Sequence, residues 1–168
     1  MKKIIGVIGH DRHGKKIHSD IAEEVGRKIA AGHGVLLCGG NNGGVLEAAA
    51  KGAKQNNGLT IGICQGSDLR SVSKFIDVPI LTGMGFARNQ IIAFSADAII
   101  VIGGGVGAFC EMAYGYAYGK PIIVVRGLKG MADPFIGKYL DKKKKVKILG
   151  ANNAEDAVKL AFKLTEKK

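Results

Sequence analysis

Cysteine is scarce in this chain and badly placed for joint work. Cys38, Cys64 and Cys110 are odd in number, and no two of them form a CxxC pair. That spacing excludes a disulfide framework and a zinc ribbon, and leaves reduced thiols as the expectation. Proline is equally thin, at 3 residues against 26 glycines, a balance that favours tight turns over disorder. No apolar run approaches the roughly 20 residues that a membrane-spanning helix needs. The opening MKKIIGVIGH enters a strand pattern without the layout of a signal peptide. A cytoplasmic protein with no membrane partner is expected. Acidic residues are in deficit, 14 against 25 basic ones, for a formal net charge of +11. The excess collects at Lys142 to Lys145 and in the closing LTEKK, without interleaved arginines or aromatics. Such lysines describe a solvated face better than a nucleic-acid groove, so nucleic acid is not the expected partner.

What the chain does have is a regular alternation of apolar runs and helical patterns. With 46% hydrophobic residues, 168 residues are enough to bury one core without staples, and residues 1–168 are expected to form a single domain. Strands are predicted at 3–8, 35–38, 60–63, 78–81, 98–102 and 122–125, with a weaker one at 146–149. Helices are predicted at 19–31, 45–55, 87–95 and 108–118, and a last amphipathic one is capped by Asn153. Continuous apolar strands joined by helices imply a mainly parallel sheet covered on both faces. The fold class is therefore α/β, a Rossmann-like doubly wound domain.

The most informative feature is an internal repeat. The segment GGNNGGVLE at 39–47 returns as GGGVGAFCE at 103–111, each directly after an apolar strand. Gly39, Gly40 and Gly43 correspond to Gly103, Gly104 and Gly107, and Glu47 corresponds to Glu111. A strand that enters a glycine turn and then a helix aims backbone N–H groups and a helix dipole at one point, which suits a phosphate. In a doubly wound sheet both turns lie beyond the carboxyl ends of the strands, where ligands bind. The first turn contributes Gly39, Gly40, Gly43 and Gly44 as candidate ligand-binding residues. The second contributes Gly103, Gly104, Gly105, Gly107 and Ala108, with Glu111 one turn further on.

Between the two turns runs TGMGFARN, from Thr82 to Asn89. Arg88 opens a helix that leads straight into the strand feeding the second turn. Its guanidinium fork can reach the same cleft and suits a phosphate or carboxylate, so Thr82, Gly83, Arg88 and Asn89 join the candidate set. Two other features carry less. Gly9 to Lys15 has the spacing of a P-loop, but Lys16 stands where Ser or Thr would hold Mg²⁺. His10, His13 and His18 match no standard ligand spacing, so no metal site is expected. Cys110 falls in the predicted first turn of a helix and is read as a small core residue. Glu47 is read as a helix N-terminal acid stabilised by the dipole.

The ordered set GVIG, LLCGGNNGGVLEAAAKGA, TGMGFARN and SADAIIVIGGGVGAFCEMAYGYAYGKPI resembles the SLOG superfamily, and within it the LOG-like proteins. Its nearest likeness is the short DprA/Smf-related branch, which is similar to the molybdenum cofactor carrier proteins. LOG-like proteins often bear a lysine decarboxylase label, but the chain has no pyridoxal-phosphate lysine site to support one. The family motif PGGxGTxxE with an upstream arginine implies hydrolysis of a nucleoside 5′-monophosphate to free base and ribose 5-phosphate. By that resemblance Gly104, Gly105 and Gly107 would cradle phosphate, while Arg88 and Glu111 would be catalytic. The chain departs from the motif at Gly103, where Pro is usual, at Ala108, where Thr is usual, and at Asn89, where Lys is usual. The missing hydroxyl removes a contact worth about 1.5–3 kcal/mol, enough to separate binding from turnover.

Three function classes stand at this point. They are a phosphoribohydrolase that needs no added cofactor, a carrier or sensor of an AMP-like nucleotide or molybdenum cofactor, and a DprA-like single-strand binder. The resemblance implies a homo-oligomer, dimer or tetramer. The helix at 108–118, with Ala113, Gly115 and Ala117 alternating with Tyr114, Tyr116 and Tyr118, suits either an interface or close packing on the sheet.

Overall fold

The computed structural model describes residues 1–10 and 14–166. Among the described residues seven strands and five α-helices follow one another: β1 (Ile4–Gly9), α1 (Lys16–Ala31), β2 (Val35–Cys38), α2 (Gly44–Gln55), β3 (Leu59–Cys64) and β4 (Val78–Leu81). Then follow α3 (Asn89–Ser95), β5 (Ala98–Ile102), α4 (Val106–Ala117), β6 (Ile122–Val125), β7 (Leu149–Ala151) and α5 (Ala154–Thr165). The strands form one sheet in the order β4-β3-β2-β1-β5-β6-β7, every pair parallel. The fold is thus the Rossmann-like α/β sheet that the alternation predicts. Strand order grows outward from β1 in one direction and from β5 in the other, so a crevice opens where these two strands end.

The central strands are buried on both faces, which is why they read as unbroken apolar runs. On one face α1, α2 and α5 close over Ile5, Val7, Leu36 and Ile100. On the other, α3 and α4 cover Ile8, Leu37, Ile99 and Val101. Helices α1 and α2 approach unusually closely, and glycine makes this feasible. A Cβ on Gly26 would fall 1.9 Å from the carbonyl oxygen of Ala49, and one on Gly52 would fall 1.9 Å from that of Glu23. No helix among the described residues is long and apolar enough to cross a membrane.

The structure corrects several predicted boundaries. Helix α1 begins at Lys16, not residue 19, because His18 folds back to accept the Lys15 N–H and completes a capping box. The helix at 87–95 is a 3-10 turn, Gly85–Arg88, followed by α3. The last strand lies at Leu149–Ala151, not 146–149. Residues 146–148 are apolar for another reason: Val146 and Ile148 pack on the α4 face, and Ile148 bonds to the backbone of Gly137 and Lys138, not to β6. Helix α4 begins at Val106, which moves Cys110 out of the first turn and leaves it half-buried, not in the core. In α4, Gly115 and Tyr116 face the sheet, while Tyr114 faces outward. Asn153 caps α5 as expected, its side chain accepting the Asp156 N–H at 2.8 Å.

The α1–α2 contact gives a test of the packing. Gly52→Ala should lower stability by about 2 kcal/mol, since its Cβ meets rigid backbone. Gly66→Ala, with open space around it, should change the urea midpoint little.

Candidate ligand-binding site

The crevice between β1 and β5 is built around the second glycine turn. Gly103 and Gly104 take φ of +60° and +99°, a region that other residues enter only with strain. A Cβ on Gly103 would also strike the His10 ring at 2.7 Å, and one on Gly104 would strike the Ala108 Cβ at 2.5 Å. Gly105 has nothing within 4 Å of its Cβ position, so the chain lies bare to the crevice where α4 starts. That helix start has no side-chain cap and no acid in its first turn. Its first N–H groups have no acceptor within the helix.

The first turn has the same pattern and a different outcome. Glu47 turns back over its own helix start and accepts the Gly43 N–H at 2.7 Å and the Ser73 hydroxyl at 3.1 Å. The start of α2 is thereby neutralised and closed by a group from its own chain. Gly43 is the N-cap of α2 and Gly44 its first residue. Gly40, at φ +73°, lies against Gly62 and the Cys64 sulfur. Gly39 serves the site differently: its missing side chain leaves room for the Arg88 guanidinium, whose Nη2 would lie 2.6 Å from a Cβ there.

Arg88 is only 6% exposed and Glu111 7%, and Arg88 Nη1 donates to Glu111 Oε1 at 3.0 Å. Arg88 Nε is buried without a hydrogen-bond partner. Burial pushes the Glu111 carboxyl up to about 7, against the opposing attraction of Arg88. The same burial pushes the Cys38 thiol up to about 12 and raises Cys64, so neither is poised as a thiolate at neutral pH. Asn89 reaches the Gly107 carbonyl at 3.5 Å and braces the first turn of α4.

These groups line a cavity of about 390 Å³. Arg88 and Glu111 form part of its wall together with Asn89, Gly105, Gly107 and Ala108. The remaining candidates lie outside the cavity lining. Gly39, Gly40, Gly43, Gly44, Gly103 and Gly104 shape the two turns. Thr82 donates its hydroxyl to the Cys64 carbonyl at 2.7 Å, and the Gly83 N–H bonds to Gly66, so both pin the loop that carries Arg88. Three polar lining residues, His10, Asn41 and Gln65, stood outside the candidate set. Each directly follows the end of β1, β2 or β3 or sits in its glycine turn, a position that topology alone could have flagged.

The P-loop-like segment lies partly outside the described residues, which include its ends at Gly9, His10, Gly14 and Lys15. The Lys15 N–H donates to His18 Nδ1 at 2.9 Å, and His18 Nε2 donates to the Leu128 carbonyl at 3.0 Å. His13 lies outside the described residues. Among the described residues no group of three His, Cys, Asp or Glu is gathered for a metal. Of the lysines at 142–145, Lys145 donates to the Ala117 carbonyl at the other end of α4, where Tyr116 donates to Asp141.

Comparison with known proteins agrees with this architecture. The chain is 33% identical to the molybdenum cofactor binding protein from Rippkaea orientalis, with a TM-score of 0.88 and 98% of each chain covered. It is 31% identical to the Moco carrier protein from Chlamydomonas reinhardtii, with a TM-score of 0.86 over the whole of both chains. DprA from Streptococcus pneumoniae, at 20% identity and a TM-score of 0.70, shares the fold over 94% of this chain and 61% of that one. Among sequence relatives, an Archaeoglobus fulgidus protein is 42% identical over 137 residues, 77% of this chain and 88% of that one. A cytokinin riboside 5′-monophosphate phosphoribohydrolase from Mycobacterium tuberculosis is 32% identical over 114 residues, 63% of this chain and 61% of that one. The model of the SLOG cluster4 family matches residues 2–158, close to the full length, and the protein belongs to that family.

Proposed function

We propose that the protein binds a phosphate-bearing nucleotide or molybdenum cofactor in the β1–β5 crevice and carries it unchanged. One observation carries the reading: a buried guanidinium with an unpartnered Nε lies in the same cavity wall as an uncapped helix start. An anion there would take hydrogen bonds from the first turn of α4 and from Arg88. The volume suits a nucleotide-sized ligand. The residues fit the phosphate end of such a cofactor, whose ring system the same cavity has room to hold. Likeness over nearly the whole length to proteins that bind or carry molybdenum cofactor supports a carrier.

A second reading, phosphoribohydrolase activity, is favoured by the Arg88–Glu111 pair itself. A carboxyl near 7 can hold or release a proton at neutral pH. Against turnover, Ala108 supplies no hydroxyl to the phosphate, and Oε1 of Glu111 is committed to Arg88. We further place the protein in the cytoplasm as a homo-oligomer of two or four copies. Three free thiols suit a reducing compartment, and the outward Phe94 of α3 and Tyr114 of α4 suit a subunit contact.

Calorimetry with AMP and GMP, followed by chromatography of the mixture, separates the two readings. Binding with intact nucleotide recovered is expected, and Arg88→Ala should weaken it about tenfold to a hundredfold. Free base that forms with wild type and not with Glu111→Ala would make the protein a hydrolase instead. Binding should also depend on pH. Below about 7 Glu111 is neutral and Arg88 faces the phosphate without a competing charge; above it, the carboxylate repels the anion. Affinity should therefore fall severalfold from pH 6 to 8 in wild type relative to Glu111→Gln, which shares the ligand's own titration.

A further inference from the structure

Phe86 is 74% exposed and Val106 67%, and both line the same cavity as the buried Arg88 and Glu111. They stand where the polar groups converge. Phe86 precedes Arg88 by two residues in the Gly85–Arg88 turn, and Val106 is the first residue of α4, beside Gly105. The Phe86 ring lies over that first helical turn, its Cε1 3.5 Å from where a Gly107 Cβ would be.

The loop that holds Phe86 outward is built, not slack. Gly83 and Gly85 both take left-handed φ, +63° and +54°, on either side of Met84. The Met84 N–H donates to the Thr82 hydroxyl at 3.2 Å, the Gly85 N–H to the Gln65 carbonyl at 3.0 Å, and the Ala87 N–H to the Met84 carbonyl at 3.1 Å. An aromatic ring carried on backbone that three hydrogen bonds and two left-handed glycines fix, yet left in water, contributes little to the core. Its burial awaits something that enters the cavity.

Resting on the anion-binding reading above, we infer that Phe86 and Val106 form a stacking subsite for a flat heteroaromatic ring. The ligand is then a nucleotide or a pterin phosphate, not inorganic phosphate or a plain sugar phosphate. The phosphate lies against Arg88 and the start of α4, and the ring lies on Phe86 at the mouth. Asn41 and Gln65, amides in the same lining, supply donors and acceptors of the kind that read the polar edge of a base or pterin. Guanine and pterin share a 2-amino-4-oxo pyrimidine edge, so GMP probes both classes.

Calorimetry with GMP, AMP and ribose 5-phosphate, on wild type, Phe86→Ala and Phe86→Trp, tests this. Phe86→Ala should weaken nucleotide binding about tenfold and leave ribose 5-phosphate unchanged. The chain has no tryptophan, so Phe86→Trp gives a single reporter, which GMP should quench and ribose 5-phosphate should not. Equal loss for both ligands, or no loss for either, would overturn the ring subsite while leaving the anion site standing. A change of sedimentation in Phe86→Ala with nucleotide affinity intact would also overturn it, and would assign Phe86 to a subunit contact. If wild type binds none of the three ligands, the anion-binding reading falls and the subsite falls with it. Phe86 is exposed, so its variants should keep the wild-type melting temperature, which checks folding independently.

Discussion

Taking a guanidinium and a carboxyl out of water together is costly, and the 3.0 Å contact between Arg88 and Glu111 offsets only part of that cost. The imbalance is visible in Glu111, which burial holds near 7 despite its cationic neighbour. Much of the surrounding architecture accommodates this pair. Gly39 gives up its side chain to seat the guanidinium, and the loop from Thr82 to Arg88 is tied to the end of β3. Asn89 braces the start of the helix that carries Glu111. Removing Glu111 would leave the buried Arg88 charge unanswered, an effect of about 3–5 kcal/mol in comparable sites, whereas without Arg88 the carboxyl would keep its proton.

The repeated glycine turns show how one motif serves two ends. In the first, Glu47 reaches its own helix start and Ser73 fixes it there, so the turn is complete without a ligand. In the second, the corresponding Glu111 points to Arg88 instead, and the start of α4 has neither cap nor acid. The difference lies in the partner each carboxyl finds across the fold. One turn is structural, and the other faces an open cavity at the β1–β5 crevice, where the proposed anion would lie.

Most of the fold was legible because parallel strands covered on both faces must be apolar throughout. The runs at 35–38, 98–102 and 122–125 coincide with β2, β5 and β6 to the residue, and the run at 78–81 coincides with β4, an edge strand that is largely exposed. The apolar stretch at 146–149 misled because burial against α4 and membership of a sheet leave the same mark on a short segment. Helix α1 begins early because His18 accepts the Lys15 N–H, while its other ring nitrogen is held by the Leu128 carbonyl, 110 residues away, a contact that no local pattern encodes. Glu111 and the glycines of both turns were read from the repeat, and Arg88 from the TGMGFARN segment between the turns. The seating role of Gly39, the closure of the first turn by Ser73 and the cavity positions of His10, Asn41 and Gln65 depend on contacts between distant segments. Cys110 was misread because the buried face of α4 is taken by Ala108, Glu111, Met112, Gly115 and Tyr116, which leaves Cys110 half-buried beside it.

The buried pair is tested most directly by chemical denaturation of wild type and Glu111→Gln between pH 4.5 and 8. A carboxyl near 7 in the native state, against 4.5 for the ordinary group, keeps its proton after the unfolded chain has released its own. Its contribution to stability is complete below pH 4.5 and is lost as pH rises toward 7. Wild type should therefore lose about 3 kcal/mol relative to Glu111→Gln across that window. Parallel curves, or a wild type that gains on the variant as pH rises, would contradict a desolvated Glu111 and reduce the pair to an ordinary salt bridge.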